Sequence, residues 1–244
     1  MEGPFFSEEK KGAQNAAYLR EPDFEAFSKL FAAGNGIVRI VDVAPELPGA
    51  AEFVREASRL CTVSIAHTDA SYDAVCAIEA GVTHLTHLYN AMPGIHHRKP
   101  GVIPAAVENE QVSAELISDG QHVHPASVRL AFRMFGPARM VLISDSLRCC
   151  GMPDGEYELG GQKVIMKDRK AVLEDGTIAG SATNLYECMK CVIGMGVPEH
   201  AAIFAATRNP ARSIGIYDEV GSLVPGKRAD IVIADRELNI VRVI

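Results

Sequence analysis

The sequence predicts an α/β fold, a (β/α)8 TIM-type barrel that the chain supplies incompletely, and three observations predict it. Five apolar runs, VRIVDVAPE (38–46), CTVSIAH (61–67), VTHLTH (82–87), VSAELISDG (112–120) and MVLISD (140–145), each stop at a polar residue able to bind a metal or move a proton. Helical stretches lie between most of them. Strand, polar tip and helix in repeated order gather chemistry at the carboxyl ends of parallel strands, the form of a hydrolytic enzyme's active-site half.

Each element has its own signal. A helix is expected over 22–33, where Phe24, Phe27, Leu30 and Phe31 recur at helical spacing ahead of Gly34 and Gly36. The amphipathic pattern returns at 50–60, 71–81 and 125–136, with Ser71 suited to an N-cap and Pro125 to a first helical turn. After 150, short alternating runs among turn residues predict a β-hairpin excursion at about 155–178. Helices resume at 181–194 and 198–214, and the final stretch alternates again before ending in a bare apolar strand. Five strands can be counted, with the tip of a sixth at residue 2, whereas closure of such a barrel takes eight. The expectation is of a piece of a longer gene product with Met1 internal to it. Alone, its unpaired sheet edges predict aggregation or partial unfolding.

Composition narrows the function. The 244 residues, 48% of them hydrophobic, suit one such domain with some extra β structure. A net charge of −7 argues against nucleic-acid and anionic-membrane partners. No apolar run reaches membrane-span length, and MEGPFFSEEKKG has neither the basic nor the apolar region of a signal peptide, so a cytoplasmic location is the default. Of the six cysteines, Cys188 and Cys191 form a CxxC within a helical stretch, with no second pair to complete a zinc site. Free thiols in a reducing compartment are expected.

His67 and His87 end consecutive predicted strands and would share one rim, where imidazole nitrogens suit a divalent cation such as zinc. His84, on the opposite face by strand alternation, reads as a packing residue. Glu2 can add a carboxylate oxygen as third ligand, leaving one coordination position open, although an acid near a terminus is ordinarily just solvated. Asp145 closes the last barrel-type strand, either as a proton acceptor and donor or as a cap for the following loop. His96, His97, Arg98 and Lys99 share one loop beside this rim. They are either a solvated surface or a site for an anionic substrate, most naturally a phosphate, with Arg98 able to hold two of its oxygens. His122 and His124 are either a second substrate clamp or polar loop residues.

EGPFF, KKGAQN (10–15), VAPE (43–46), AHTDAS (66–71), THLYNAMPG (86–94), SDGQHVHP (118–125), LISDS (142–146), TIAGSA (177–182), NPAR (209–212) and GSLVPGKRADIVI (221–233) together resemble the N-acetylglucosamine-6-phosphate deacetylase family of the amidohydrolase superfamily. The resemblance spans essentially the whole chain. It implies metal-dependent hydrolysis of an acetamide on a phosphosugar, giving glucosamine 6-phosphate and acetate in amino-sugar catabolism and cell-wall sugar recycling. It implies one divalent ion, zinc first with iron, manganese or cobalt also compatible, held by Glu2, His67 and His87, with Asp145 as acid and base. Asn90 and Ala91 through backbone groups, Arg98 and His122 would contact the phosphosugar, Arg98 reaching across a homodimer. Ala13, Gln14, Ile178, Ala179 and Gly180 would line the remaining surface. Residues 1–218 would be a partial barrel, and 219–244 the C-terminal strands of a small β-sandwich domain. The N-terminal strand whose HxH motif can hold a second metal is absent, and Ser146, Cys149 and Cys150 replace the family's usual small alanines. The alternatives are a cyclic-amide hydrolase or deaminase of the same superfamily, or a non-catalytic phosphosugar-binding relic.

Overall fold

Five parallel strands in sequential order, β1 (Ile40–Val43), β2 (Thr62–Ile65), β3 (Val82–Leu85), β4 (Ser113–Ile117) and β5 (Met140–Ile143), form the main sheet of the computed structural model, which describes residues 1–77 and 81–244. Helix α1 (Phe24–Ala33) precedes β1, and α2 (Ala50–Ala57), α3 (Tyr72–Ala77), α4 (Val102–Glu108) and α5 (Pro125–Phe135) follow the first four strands in turn. Val41, Val43, Val63, Ile65, Leu85, Leu116 and Leu142 point to the helical side and pack with Phe27, Phe53, Ile103 and Val128 in one continuous core. The alternate residues Asp42, Ser64, His84, Thr86 and Glu115 are also buried. Burial on both faces explains why the strands read as runs rather than as clean alternation.

The helix signals act as local chemistry requires. Asp23 caps α1 by accepting the N–H of Ala26 at 3.0 Å, and the Ser71 hydroxyl accepts that of Ala74 at 3.2 Å. The helix expected at 71–81 is described as far as Ala77, and positions 78–80 lie outside the described residues. Pro125 opens α5 at its first position. Helix α4 has no counterpart in the sequence reading. Its Pro104 sits in the first turn, where a missing N–H has no intrahelical partner to lose.

Both edges of the sheet are paired at the rim. Met1 donates its amine to the Ile40 carbonyl at 2.6 Å and accepts the Asp42 N–H at 3.1 Å, and the Ala44 N–H donates to Phe5 at 2.9 Å. The Ser7 N–H then donates to the His67 carbonyl at 3.0 Å, so residues 1–7 run along β1 and across the end of β2. At the other edge Ser181 donates to the Asp145 carbonyl and accepts from Leu147, making a parallel bridge with Ser146.

Ser181 ends an antiparallel sheet larger than the expected hairpin: β6 (Gly155–Leu159), β7 (Gln162–Lys167), β8 (Lys170–Leu173) and β9 (Ile178–Ser181) form four strands in order. A small cluster of Val164, Met166, Ala171, Leu173, Cys149 and Ala13 backs it. The helix expected from 181 therefore starts later, as α6 (Leu185–Gly194), with Asn184 as its cap. The helix expected at 198–214 divides into α7 (Glu199–Ala206) and α8 (Arg208–Ser213), because Pro210 has no N–H for the Ala206 carbonyl. The chain closes on an antiparallel pair, β10 (Val232–Ala234) and β11 (Ile240–Val243), with Val232, Ile233, Ile240, Val241 and Val243 exposed. All six cysteines are free thiols.

Candidate active site

Three side chains from distant positions meet at the carboxyl end of the sheet. His67 follows β2, His87 follows β3, and Glu2 comes from the segment paired along β1. The Nε2 atoms of the two histidines are 3.0 Å apart, and the Glu2 carboxylate lies 3.0 Å from His67 and 3.6 Å from His87. The backbone holds them there under strain, since His67, His87, Tyr89, Ala91 and Asp145 all adopt positive φ, at 46°, 31°, 78°, 51° and 49°. Non-glycine residues rarely adopt that conformation, and its concentration at one rim marks a site the surrounding fold over-determines.

His67 is also fixed from behind, whereas the buried Nδ1 of His87 has no hydrogen-bond partner among the described residues. His67 Nδ1 donates to the Lys10 carbonyl at 2.8 Å, which leaves its Nε2 lone pair aimed at the shared centre. Phe6 stacks on the same imidazole, with ring centroids 4.2 Å apart. Burial opposes ionisation of Glu2, but the hydrogen bonds and charge of His67 and His87 outweigh it and hold the carboxyl far below the usual range. For His87, burial disfavours the charged ring, yet Glu2 beside it, with Asp145 and Asp42, raises its pKa.

These donors fit a cation. Ligand atoms set tetrahedrally at about 2.0–2.1 Å from one ion would be roughly 3.3 Å apart, and the observed separations of 3.0, 3.0 and 3.6 Å bracket that spacing. Two imidazole nitrogens and a carboxylate facing one centre offer lone pairs that one ion satisfies together. Glu2, His67 and His87 are the group of this kind found among the described residues. His84 stays outside it, with its Nε2 3.1 Å from the Glu115 carboxylate.

Asp145 stands beside the trio. Burial and the charge of Glu2 push its carboxyl above the usual range, while His87, His122 and His67 pull it back. Gly180 lies against it: a Cβ there would come within 2.9 Å of Leu147 and 3.1 Å of the Asp145 carbonyl, at a φ of 149°. Ile178 and Ala179 lead into that contact on β9. Gly12, next to Ala13, puts the loop of residues 10–14 against the His67 ring. Ala13 is buried, and its carbonyl accepts from Gln162 at 2.6 Å. Gln14 is half-buried and donates its N–H to the Lys11 carbonyl.

The expected phosphosugar contacts are placed less uniformly. The Asn90 N–H donates to the His87 carbonyl at 2.9 Å, and its amide reaches the carbonyls of His87 and Leu88, so these groups hold the loop rather than stand free. The Ala91 carbonyl accepts from Thr68 at 3.0 Å. His96, His97, Arg98 and Lys99 are all exposed, and Arg98 lies 2.6 Å from the His97 ring. His122 is held by Asp119 at 2.7 Å, whereas His124 caps α5 and has a structural duty. Sequence reasoning passed over the Lys10 carbonyl, Phe6 and the pairing of Asp119 with His122. Only Asp119 leaves a readable trace, an Asp three residues before a His in a Gly-containing turn.

Known proteins are similar to this chain in sequence and fold. The Amidohydrolase family matches residues 3–244. N-acetylglucosamine-6-phosphate deacetylase of Bacillus subtilis (strain 168) is 39% identical over 99% of this chain and 62% of the relative. N-acetylgalactosamine-6-phosphate deacetylase of Escherichia coli O157:H7 is 35% identical over 100% of this chain and 65% of the relative. A mutant of N-acetyl-D-glucosamine-6-phosphate deacetylase from Mycobacterium smegmatis, solved in complex with N-acetyl-D-glucosamine-6-phosphate, superposes with a TM-score of 0.94 at 35% identity, covering 100% of this chain and 65% of that one. The chain thus spans a little over three fifths of the length of these relatives. Its fold is an open portion of a TIM-type barrel joined to small antiparallel sheets, and no helix among the described residues is long and apolar enough to cross a membrane. A divalent metal is implied by that kinship, and the chain belongs to the amidohydrolase family.

Proposed function

We propose that this chain carries the chemistry of hydrolysing the acetamide of N-acetyl-D-glucosamine 6-phosphate to D-glucosamine 6-phosphate and acetate. The convergence of Glu2, His67 and His87 beside Asp145 carries the reading, in a chain whose relatives are named as deacetylases of that sugar phosphate. Residues 1–218 are then the catalytic barrel portion, and 219–244 belong to the small β domain.

Glu2, His67 and His87 hold the cation, zinc on the strength of their nitrogen and oxygen donors. When bound, such an ion supplies Lewis acidity that polarises a carbonyl and makes water a competent nucleophile near neutral pH. Asp145 accepts a proton from the attacking water and returns one to the nitrogen as the C–N bond breaks, so the amine leaves neutral. Lys10, through its carbonyl, keeps the His67 lone pair directed inward. Gly180 lets β9 approach the Asp145 backbone, and Ala13, Gln14, Ile178 and Ala179 line the acetyl and sugar surface. Ala91 and His122 face the phosphosugar, Asn90 braces the loop that carries Ala91, and Arg98 serves the neighbouring subunit of a homodimer. Binding energy at the phosphate orients a carbonyl several bonds away. A cytoplasmic location matches such a sugar phosphate.

The galactosamine-specific relative favours a second reading of the sugar, the C4 epimer. Acetate release from both epimers by the zinc-supplemented protein tests the assignment. Release from N-acetyl-D-glucosamine 6-phosphate is expected. Binding of that ligand in calorimetry without acetate points to the relic, and neither binding nor release rejects the function.

A further inference from the structure

Asp119 and His122 form a closed unit whose carboxylate has no part in the reaction described above. Both side chains are almost wholly buried, at 4% and 6% exposure. One Asp119 oxygen accepts the backbone N–H groups of Gln121 and His122 at 2.9 and 3.0 Å, and the other lies 2.7 Å from His122 Nδ1. Burial works against the carboxylate, but His122 and these two N–H groups outweigh it and keep Asp119 below its usual range. An ionised carboxylate can only accept, so Nδ1 must carry the proton. The root of the loop is anchored too, since the Ser118 hydroxyl donates to the Cys188 carbonyl of α6 at 3.0 Å.

A turn that merely needed closing would be served by the two backbone bonds. The third bond does something else: it selects which ring nitrogen remains for a ligand. We propose that Asp119 is the positioning residue of His122, holding the proton on Nδ1 so that Nε2 is the atom presented to the phosphosugar. The assignment rests on the reading of His122 as a substrate contact. It extends to this rim the rule that the partner of one imidazole nitrogen decides the chemistry of the other.

Asp119→Asn separates the two duties. Its amide oxygen can still accept both backbone N–H groups, while its NH2 faces Nδ1 with a donor and drives the ring proton to Nε2, as the same exchange does in Asp–His pairs of serine hydrolases. Histidine-selective 15N NMR, at a pH about one and a half units above the ordinary imidazole range, reads the tautomer without substrate. Native His122 is expected with a protonated Nδ1, and Asp119→Asn with a protonated Nε2 and the other histidine signals unmoved. In parallel, calorimetry with D-glucosamine 6-phosphate is expected to show about tenfold weaker binding, the order set by one misdirected hydrogen bond, at unchanged zinc stoichiometry. The same tautomer in both proteins, or equal binding, overturns the proposal. A protonated Nε2 in the native protein overturns it even if the variant fails to fold. If the native protein binds no phosphosugar, the functional reading fails by itself and the NMR result still decides what Asp119 does.

Discussion

His67 and His87 lie twenty positions apart and bring their Nε2 atoms within 3.0 Å, whereas His96 and His97 are neighbours in the chain and stand exposed, leaning on each other and on Arg98. The first pair is buried and strained at positive φ. The second pair lies further along the connection that follows β3, and neither of its residues has a positive φ. Parallel strands in register carry successive tips to one rim, so residues a whole β/α unit apart can share an ion. Adjacency in a loop gives proximity without a common direction. Closeness in sequence is therefore a poor guide to a metal site, and position at a strand end is a good one.

The contrast can be broken most severely at the rim. His67→Ala should take zinc stoichiometry from one to near zero and remove turnover with it, a larger loss than the roughly 10–100-fold cost of an outer partner. Full metal occupancy in that variant, measured by elemental analysis, would remove His67 from the site. Asp145→Asn should keep the metal and lower acetate release by about 10²–10⁴-fold, the range for a positioned acid and base. Unchanged release would leave Asp145 as a loop cap.

A smaller effect lies beneath the rim. Burial first, and then the charge of Glu115, push the Asp42 carboxyl up to about 7, against the hydrogen bond from Thr86 at 3.0 Å. An acid that ionises later in the folded than in the unfolded chain stabilises the fold most below its unfolded pKa, and that advantage disappears as pH rises towards about 7. In the zinc-free protein, Asp42→Asn should flatten the fall in urea midpoint across that window. An identical fall in both proteins would assign it to other groups. The mildest change is Arg98→Ala, which should alter stability by no more than about 0.5 kcal/mol and leave zinc untouched. Any weakening of phosphosugar binding in that variant, read by calorimetry, belongs to recognition alone. A collapse in its melting temperature would show that the exposed loop supports the fold.

The rim was legible because apolar runs with polar stops carry topology and chemistry together: all five parallel strands fall within the runs that ended at Glu46, His67, His87, Asp119 with Gly120, and Asp145. Glu2 was readable mainly through family resemblance, since a lone acid in an irregular segment has no periodicity to locate it. The Lys10 contact to His67 was beyond reading because a backbone carbonyl has no residue signature. Asp42, Ser64 and Thr86 were hidden inside runs that looked apolar, although their side chains are linked across β1, β2 and β3. Helix α4 escaped because seven residues, with Pro104 in the first turn, are too few to display a helical period. Arg98 shows the remaining limit: its chemistry was evident, while its exposed side chain rests against the neighbouring His97 ring rather than at the rim.

Glu2 belongs to a strip tied down by a few edge bonds, whereas His67 and His87 are rooted in the interior sheet. A shared cation would work as a rivet between a peripheral part and a central one. Detaching residues 1–7 from β1 would dismantle the centre with the sheet intact, so a bound cation should be released in mild denaturant before global unfolding begins. Loading with metal should in turn slow hydrogen exchange at the Asp42 and Ala44 amides, the protons that fasten the strip.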